Sequence, residues 1–125
     1  MGRTTPLVES NDCRVVSELL GRIGDKWTVL IVVALSEEPH RFSALKRKVG
    51  GISQQMLALT LRTLERDGMV LRTVHDTAPP QVSYALTDLG RSLATTLARL
   101  AAWSIDNLAG IEENRRRYDE QRSLS

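Results

Sequence analysis

Residues 50–70 read GGISQQMLALTLRTLERDGMV: a glycine pair, a helix that Ser53 is placed to cap, and a stop at Asp67-Gly68. Leu57, Leu61 and Leu64 recur at the i, i+4, i+7 spacing of a stripe that packs on a core. At about 100° per residue, Gln55, Leu59, Arg62 and Arg66 fall roughly opposite that stripe, with Ala58 beside them. Amides, small apolar groups and arginines compose poorly for a face that meets only water. They suit a face that reads base edges in a DNA major groove.

Upstream, HRFSALKRKV (residues 40–49) reads as a brief extended stretch and a short third helix, with Ser43 as its cap and Phe42 and Leu45 turned inward. Two short helices joined through glycine form a helix-turn-helix pattern. CRVVSELLGRI (residues 13–23) is a first helix with Asn11 or Asp12 available as its cap, and GDKWTVLIVVALSEEP (residues 24–39) a second. From Trp27 to Leu35 the second helix is apolar almost all round, which predicts the buried centre of the domain. Trp27, Phe42 and Tyr84 are assigned to the core.

Downstream, MVLRTVH and VSYALT are β-type runs on either side of DTAPPQ, where Pro79 and Pro80 cannot join a paired strand, so a hairpin is expected. Thr87 then caps a long last helix in which Leu89, Leu93, Leu97, Leu100, Ile105 and Leu108 recur roughly every three or four residues. Ala94, Ala98, Ala101 and Ala102 widen that stripe beyond what one small domain buries, and a partner helix from a second subunit accounts for the excess. The organisation expected is a mobile segment 1–12, a helix-turn-helix domain with dimerisation helices over 13–110, and a charged tail 111–125. In that tail Glu112/Arg116 and Glu113/Arg117 are spaced as i, i+4 pairs, on a solvated helix end that frays.

At 125 residues and 42% hydrophobic, the chain is sized for one domain with a modest core. No run approaches the roughly 18 apolar residues that span a bilayer, and the opening MGRTTPLVESND has no hydrophobic signal centre, so a cytoplasmic protein without a membrane partner is expected. The net charge of +2 says less than its distribution: residues 41–72 hold seven Lys/Arg against two Asp/Glu, which leaves −3 for the rest. Positive charge gathered round the fourth helix fits a phosphate-facing surface. Catalytic motifs are missing: there is no C-x-x-C, H-E-x-x-H or G-x-S-x-G, and GG at 50 lacks the glycine and lysine of a phosphate loop. His40 and His75 are not spaced as a metal motif, although a fold could still bring them together; no enzyme, metal or cofactor is expected.

The run from IGDKW through RFSALKRKVGGISQQMLALTLRTLERDGMVLRTV to PPQVSYALTDLG resembles the HxlR-type family of MarR-like winged-helix transcription regulators. Its most specific pieces are Arg41, Phe42 and Leu45; Ile52 to Leu57; Leu61 to Gly68; and Pro79 to Gly90, in order and at matching intervals. The resemblance implies a mainly α fold with a small β-hairpin, a winged helix-turn-helix. It further implies a bacterial homodimer joined through its first and last helices, with the fourth helix in the major groove of double-stranded DNA and the hairpin as a wing. Such regulators repress or activate genes near their own, and several relatives sense quinones, aldehydes or oxidants through a cysteine near the position of Cys13. The chain departs from the family at Gln55, where Lys or Arg is common, at Ala58 and Leu59, where polar residues are common, and at Gln81, where a basic residue is usual. Asp76 also sits in the wing tip, so fewer phosphate contacts are expected from the wing.

Candidate roles follow from side-chain chemistry. Gln54 and Gln55 can each bond the N6 and N7 of adenine, and Ala58 and Leu59 can touch thymine methyl groups, with packing on the third helix as the rival for Leu59. Arg62 reaches either a guanine or a phosphate; Arg41, Lys46, Arg47 and Lys48 suit phosphate positioning, with solubility the competing explanation for some. Ser53 caps its helix and can also donate to a phosphate. Cys13, the one cysteine, lies at a helix start beside Arg14, a setting that favours thiolate, and the alternative is an inert buried thiol. Its chemistry is confined to an intersubunit disulfide or an adduct with a small thiol or electrophile; a small ligand at the dimer interface is the other effector considered. The rival to a dimeric repressor on an operator of two half-sites is a winged-helix module whose fourth helix binds a protein.

Overall fold

The structure, a computed structural model, describes residues 13–124, with the side chain of Cys13 left out. The expected mobile segment 1–12 and the Asn11 or Asp12 cap lie outside the described residues. The elements run α1 (Cys13–Ile23), α2 (Lys26–Glu37), β1 (His40–Arg41), α3 (Phe42–Val49), α4 (Gln54–Arg66), β2 (Val70–His75), β3 (Gln81–Leu86) and α5 (Asp88–Leu124). The three strands form one antiparallel sheet in the order β1-β3-β2, the hairpin extended by a two-residue third strand.

The core lies where α2, α4 and the start of α5 meet the sheet. Ile31, Val32, Leu45 and Leu57 are wholly buried, and Leu61, Leu64, Val70, Leu86, Leu93 and Leu97 nearly so. Trp27 and Phe42 pack against this cluster and Tyr84 lies in it, as the sequence predicts. α2 is less enclosed than its composition predicts, because Leu30 and Val33 are exposed on the side away from the core.

Two side-chain caps set where helices begin. Asp25 accepts from the Trp27 amide at 2.8 Å to open α2, and Ser53 Oγ accepts from the Met56 amide at 3.0 Å to open α4. The predicted Ser43 cap of α3 is not formed. The helix already begins at Phe42, with Arg41 in the cap position and no side-chain cap bond, because His40 and Arg41 pair with Tyr84 and Ser83 of β3 and the extended backbone ends there. α4 stops where Gly68 takes φ +79°, a conformation that costs glycine little.

Thr87 joins the end of α4 to the start of α5. Its hydroxyl donates to the Gly68 carbonyl at 2.6 Å and accepts from the Gly90 amide at 3.1 Å, while its own amide donates to the Met69 carbonyl at 3.1 Å. On the other side of α4, Arg22 of α1 makes an ion pair with Asp67, both partly buried. The last turn of α1 is thereby tied to the last turn of α4.

At 37 residues and 1.5 Å per residue, α5 is about 55 Å long. Its buried residues, Gly90, Leu93 and Leu97, all fall in the first ten, and the helix then leaves the domain. The charged tail continues that helix without a break to Leu124. Arg116 turns to Glu113 and Glu120, at 2.6 Å each, rather than to Glu112, and Arg117 bonds Glu113 at 3.2 Å. These guanidinium groups hold the Glu113 carboxyl below its ordinary value.

Candidate nucleic-acid interface

α4 is anchored on one side by Leu57, Leu61 and Leu64, which leaves Gln54, Gln55, Arg62 and Arg66 exposed on the other. None of these four has a hydrogen-bond or ion-pair partner among the described residues. The outer face is divided in two. Ala58, Arg62 and Glu65 look toward the wing, where with Arg72 and Tyr84 they line an open cleft of about 370 Å³. Leu59, half exposed, looks the other way, into a groove with Met56, Asp25 and Thr28. Its neighbours are therefore the α1–α2 junction, not α3 as the packing alternative supposed.

A second open cleft, of about 400 Å³, lies at the far side of the wing and is lined by Arg41, Phe42, Ser43, Gln81 and Val82. Arg41 and Gln81, forty residues apart in sequence, share it because β1 pairs with β3 beside the start of that strand. Gln81 Oε1 is buried with no hydrogen-bond partner among the described residues. The wing tip folds on itself through Thr77 Oγ1, which donates to the Pro79 carbonyl at 2.6 Å, and includes a cis Ala78–Pro79 bond.

A helix that presents amides and arginine beside a β-hairpin wing is the arrangement of a DNA reader, and the chain can be set against known families on that basis. A family model described as HxlR-like helix-turn-helix matches residues 22–112. The chain belongs to the HxlR-like helix-turn-helix family. It is 47% identical over 91 residues to the uncharacterized HTH-type transcriptional regulator YtfH of Escherichia coli, across 73% of this chain and 72% of that one. The solved structure of ytfH from Salmonella typhimurium superposes with a TM-score of 0.71 at 42% identity, covering 81% of this chain and 90% of that one. The redox regulator HypR in its reduced form gives 0.71 at 35% identity, over 79% and 98%. Like these relatives, the HxlR-like chain is a transcriptional regulator with a winged helix-turn-helix fold.

In this HxlR-like fold the basic residues are not equivalent. Lys48 is bound to Glu37 of α2 at 3.0 Å, so it is the least free of the candidate phosphate contacts. Lys46, Arg47 and Lys48 form the last turn of α3, where cations also offset the negative end of the helix dipole. His40 and His75 stay apart: His40 Nδ1 bonds the Glu38 carbonyl at 2.8 Å and His75 Nε2 bonds Ser83 Oγ at 2.8 Å. No cluster of three His, Cys, Asp or Glu suited to a metal occurs among the described residues. No helix of the described residues is long and apolar enough to cross a membrane. Cys13 opens α1, while its side chain lies outside what the structure describes.

The capping role of Ser53 separates cleanly from any DNA role. Ser53→Ala is expected to cost about 1 kcal/mol of stability, read by chemical denaturation, and Ser53→Asp should restore stability while placing a carboxylate where a phosphate would come. Equal stability of the alanine variant would show that the bond to Met56 contributes nothing.

Proposed function

We propose that this regulator is a homodimeric, sequence-specific DNA-binding repressor that places α4 in the major groove and the β2–β3 wing along the adjoining backbone. The observation that carries the reading is the outer face of α4, where Gln54, Gln55 and Arg62 are exposed and without a partner among the described residues, on a helix whose opposite side is fixed in the core. Gln54 and Gln55 read adenine, Ala58 meets a thymine methyl, and Leu59 reaches one from the opposite edge of the helix. Arg41, Lys46 and Arg47 position phosphates, joined by Lys48 when it leaves Glu37 and by Gln81 beside Arg41. Ser53 adds its helix N-terminus to a phosphate.

Half-sites about 34 Å apart would each take one copy of α4 from a dimer joined through α1 and α5. A dimer seated there occludes the promoter it covers, and repression is the simplest outcome. The protein works in the cytoplasm, catalyses nothing and needs no cofactor. The reading of α4 as a protein-binding face finds no support among the relatives.

The signal enters through Cys13. It stands beside Arg14 at the start of α1, and the similar protein HypR is named as a redox regulator. The Arg22–Asp67 ion pair gives a covalent change on α1 a route to α4.

Fluorescence anisotropy of the reduced protein on DNA flanking its own gene, against a scrambled duplex at two salt concentrations, tests the reading. Tight, salt-sensitive and selective binding is expected, because phosphate contacts release counterions; binding indifferent to both salt and sequence would overturn it. Diamide should release the DNA from wild type and leave Cys13→Ser bound. A serine variant that still lets go would assign sensing to a small ligand at the dimer interface.

A further inference from the structure

The cleft between α4 and the wing holds two guanidinium groups that are unpaired among the described residues. Arg62 comes from α4 and Arg72 from β2, where it stands opposite Tyr84 of β3. Both line the open cleft of about 370 Å³, with Ala58 and Glu65 on its helical wall. Neither arginine has a hydrogen-bond or ion-pair partner among the described residues, although Arg22, Arg91, Arg116 and Arg117 all do.

Two like charges brought to one cleft repel, and an anion seated between them reverses the sign of that interaction. Guanidinium forks match phosphate oxygens in pairs, which makes arginine the residue suited to this task. Glu65 brings the formal charge of the cleft to +1, which equals the single negative charge of a phosphodiester and disfavours a dianion. The cleft also continues the reading face, since Gln54, Ala58, Arg62 and Glu65 follow one side of α4 at steps of four, four and three. Small Ala58 keeps the approach open.

We propose that this cleft seats one phosphodiester of the DNA backbone between Arg62 and Arg72, at the join of the reading helix and the wing. The inference rests on the DNA-binding reading above and deepens it. It assigns Arg62 to a phosphate rather than a guanine, and it adds Arg72, which the sequence marks only as one of seven basic residues. Arg72 is a positioning residue that sets the register of α4 without reading sequence itself.

The test compares wild type, Arg62→Gln, Arg72→Gln and the double variant on the flanking duplex and on a mixed-sequence duplex of equal length, across a range of sodium chloride. Each single variant should bind both duplexes about tenfold more weakly, with the slope of log affinity against log salt reduced by about 1 for each clamp lost. Because both arginines hold one phosphate, the double variant should be little weaker than either single one. Glu65→Gln should tighten both duplexes at low salt, and Arg72→Lys should keep most of the slope. Unchanged affinity and slope in Arg72→Gln, with thermal melting like wild type, would overturn the clamp while leaving the regulator reading intact. Single effects that multiply in the double variant would place the arginines on separate phosphates and overturn it as well. Salt-independent binding by wild type would instead sink the underlying reading. Sodium phosphate titrated into the DNA-free protein at matched ionic strength completes the test: no saturable binding at low millimolar concentration is expected, and such binding, lost in Arg72→Gln while DNA affinity stays unchanged, would assign the site to a free anion and overturn the proposal.

Discussion

Gly90→Ala should destabilise the protein by about 3 kcal/mol or more, near the upper end of single substitutions. A β-carbon built at Gly90 would lie 2.1 Å from the Met69 carbonyl oxygen and 3.1 Å from Leu86 Cδ2. The oxygen is part of the backbone and is already held by the Thr87 amide. It cannot swing aside as a flexible side chain would, so α5 has to lift, and lifting it breaks the Thr87 bonds to Gly68 and Met69. Opposing this is the helix propensity of alanine, worth about 1 kcal/mol over glycine. The steric term is expected to win because the contact is roughly 1 Å or more inside ordinary van der Waals separation. Gly110 supplies the contrast. No atom lies within 4 Å of the same added carbon there, so in the isolated chain propensity acts alone and the sign reverses. Urea denaturation of both variants decides the matter, and a Gly90→Ala protein as stable as wild type would show that the junction of α4 and α5 yields at no cost.

Gly90 also marks the boundary between what pattern and what packing can tell. The residue is legible as the last letter of a family motif, and nothing local explains why glycine stands there. The reason is the Met69 carbonyl, twenty-one residues earlier, brought close by the return of the hairpin. The same division runs through the fold. Helix order, the Ser53 and Thr87 caps and the stop at Gly68 follow from near-neighbour chemistry, which a sequence displays directly. The start of α3 does not. Ser43 has the chemistry of a cap, but the pairing of His40 and Arg41 with β3 fixes where the extended chain ends, too early for Ser43 to serve.

The candidate site divides in the same way. That α4 has an apolar anchor and a polar outer face is legible from its period. That the outer face is itself split, with Ala58 and Arg62 toward the wing and Leu59 toward α1 and α2, depends on which elements flank the helix. A helical wheel has no information about those neighbours. Arg72 and Tyr84 reach the cleft by cross-strand pairing, and Arg41 meets Gln81 by the same means. The signal that finds Arg72 is available only in part: alternation places it on the same sheet face as buried Val70, an unusual address for an arginine unless a cleft opens there.

If the chain dimerises as proposed above, replacing Leu100 and Leu108 together by glutamate should convert that homodimer to monomers and weaken operator binding by roughly 10²- to 10⁴-fold. The buried stripe of α5, Leu93 and Leu97, continues along the same side of the helix through Leu100, Leu108 and Ile111 after the helix has left the domain. Leu100 is 55% exposed and Leu108 50%, with Trp103 at 58% close by. On α1 and α2, Val15, Leu20, Leu30 and Val33 are exposed as well. Burying each leucine in a partner stabilises a dimer by about 1.5–3 kcal/mol, and symmetry applies every such gain twice. Glutamate forfeits the gain and sets charge against charge across the twofold axis. Neither residue belongs to the core of its own domain, so the variant should keep the helical spectrum of wild type while sedimenting at half its mass. Its DNA affinity should then fall to that of one α4 on one half-site, because the second contact is no longer held at high effective concentration. A variant that stays dimeric would move the interface off α5. One that becomes monomeric yet binds as tightly as before would mean that a single reading helix suffices, and the two-half-site operator would have to be abandoned.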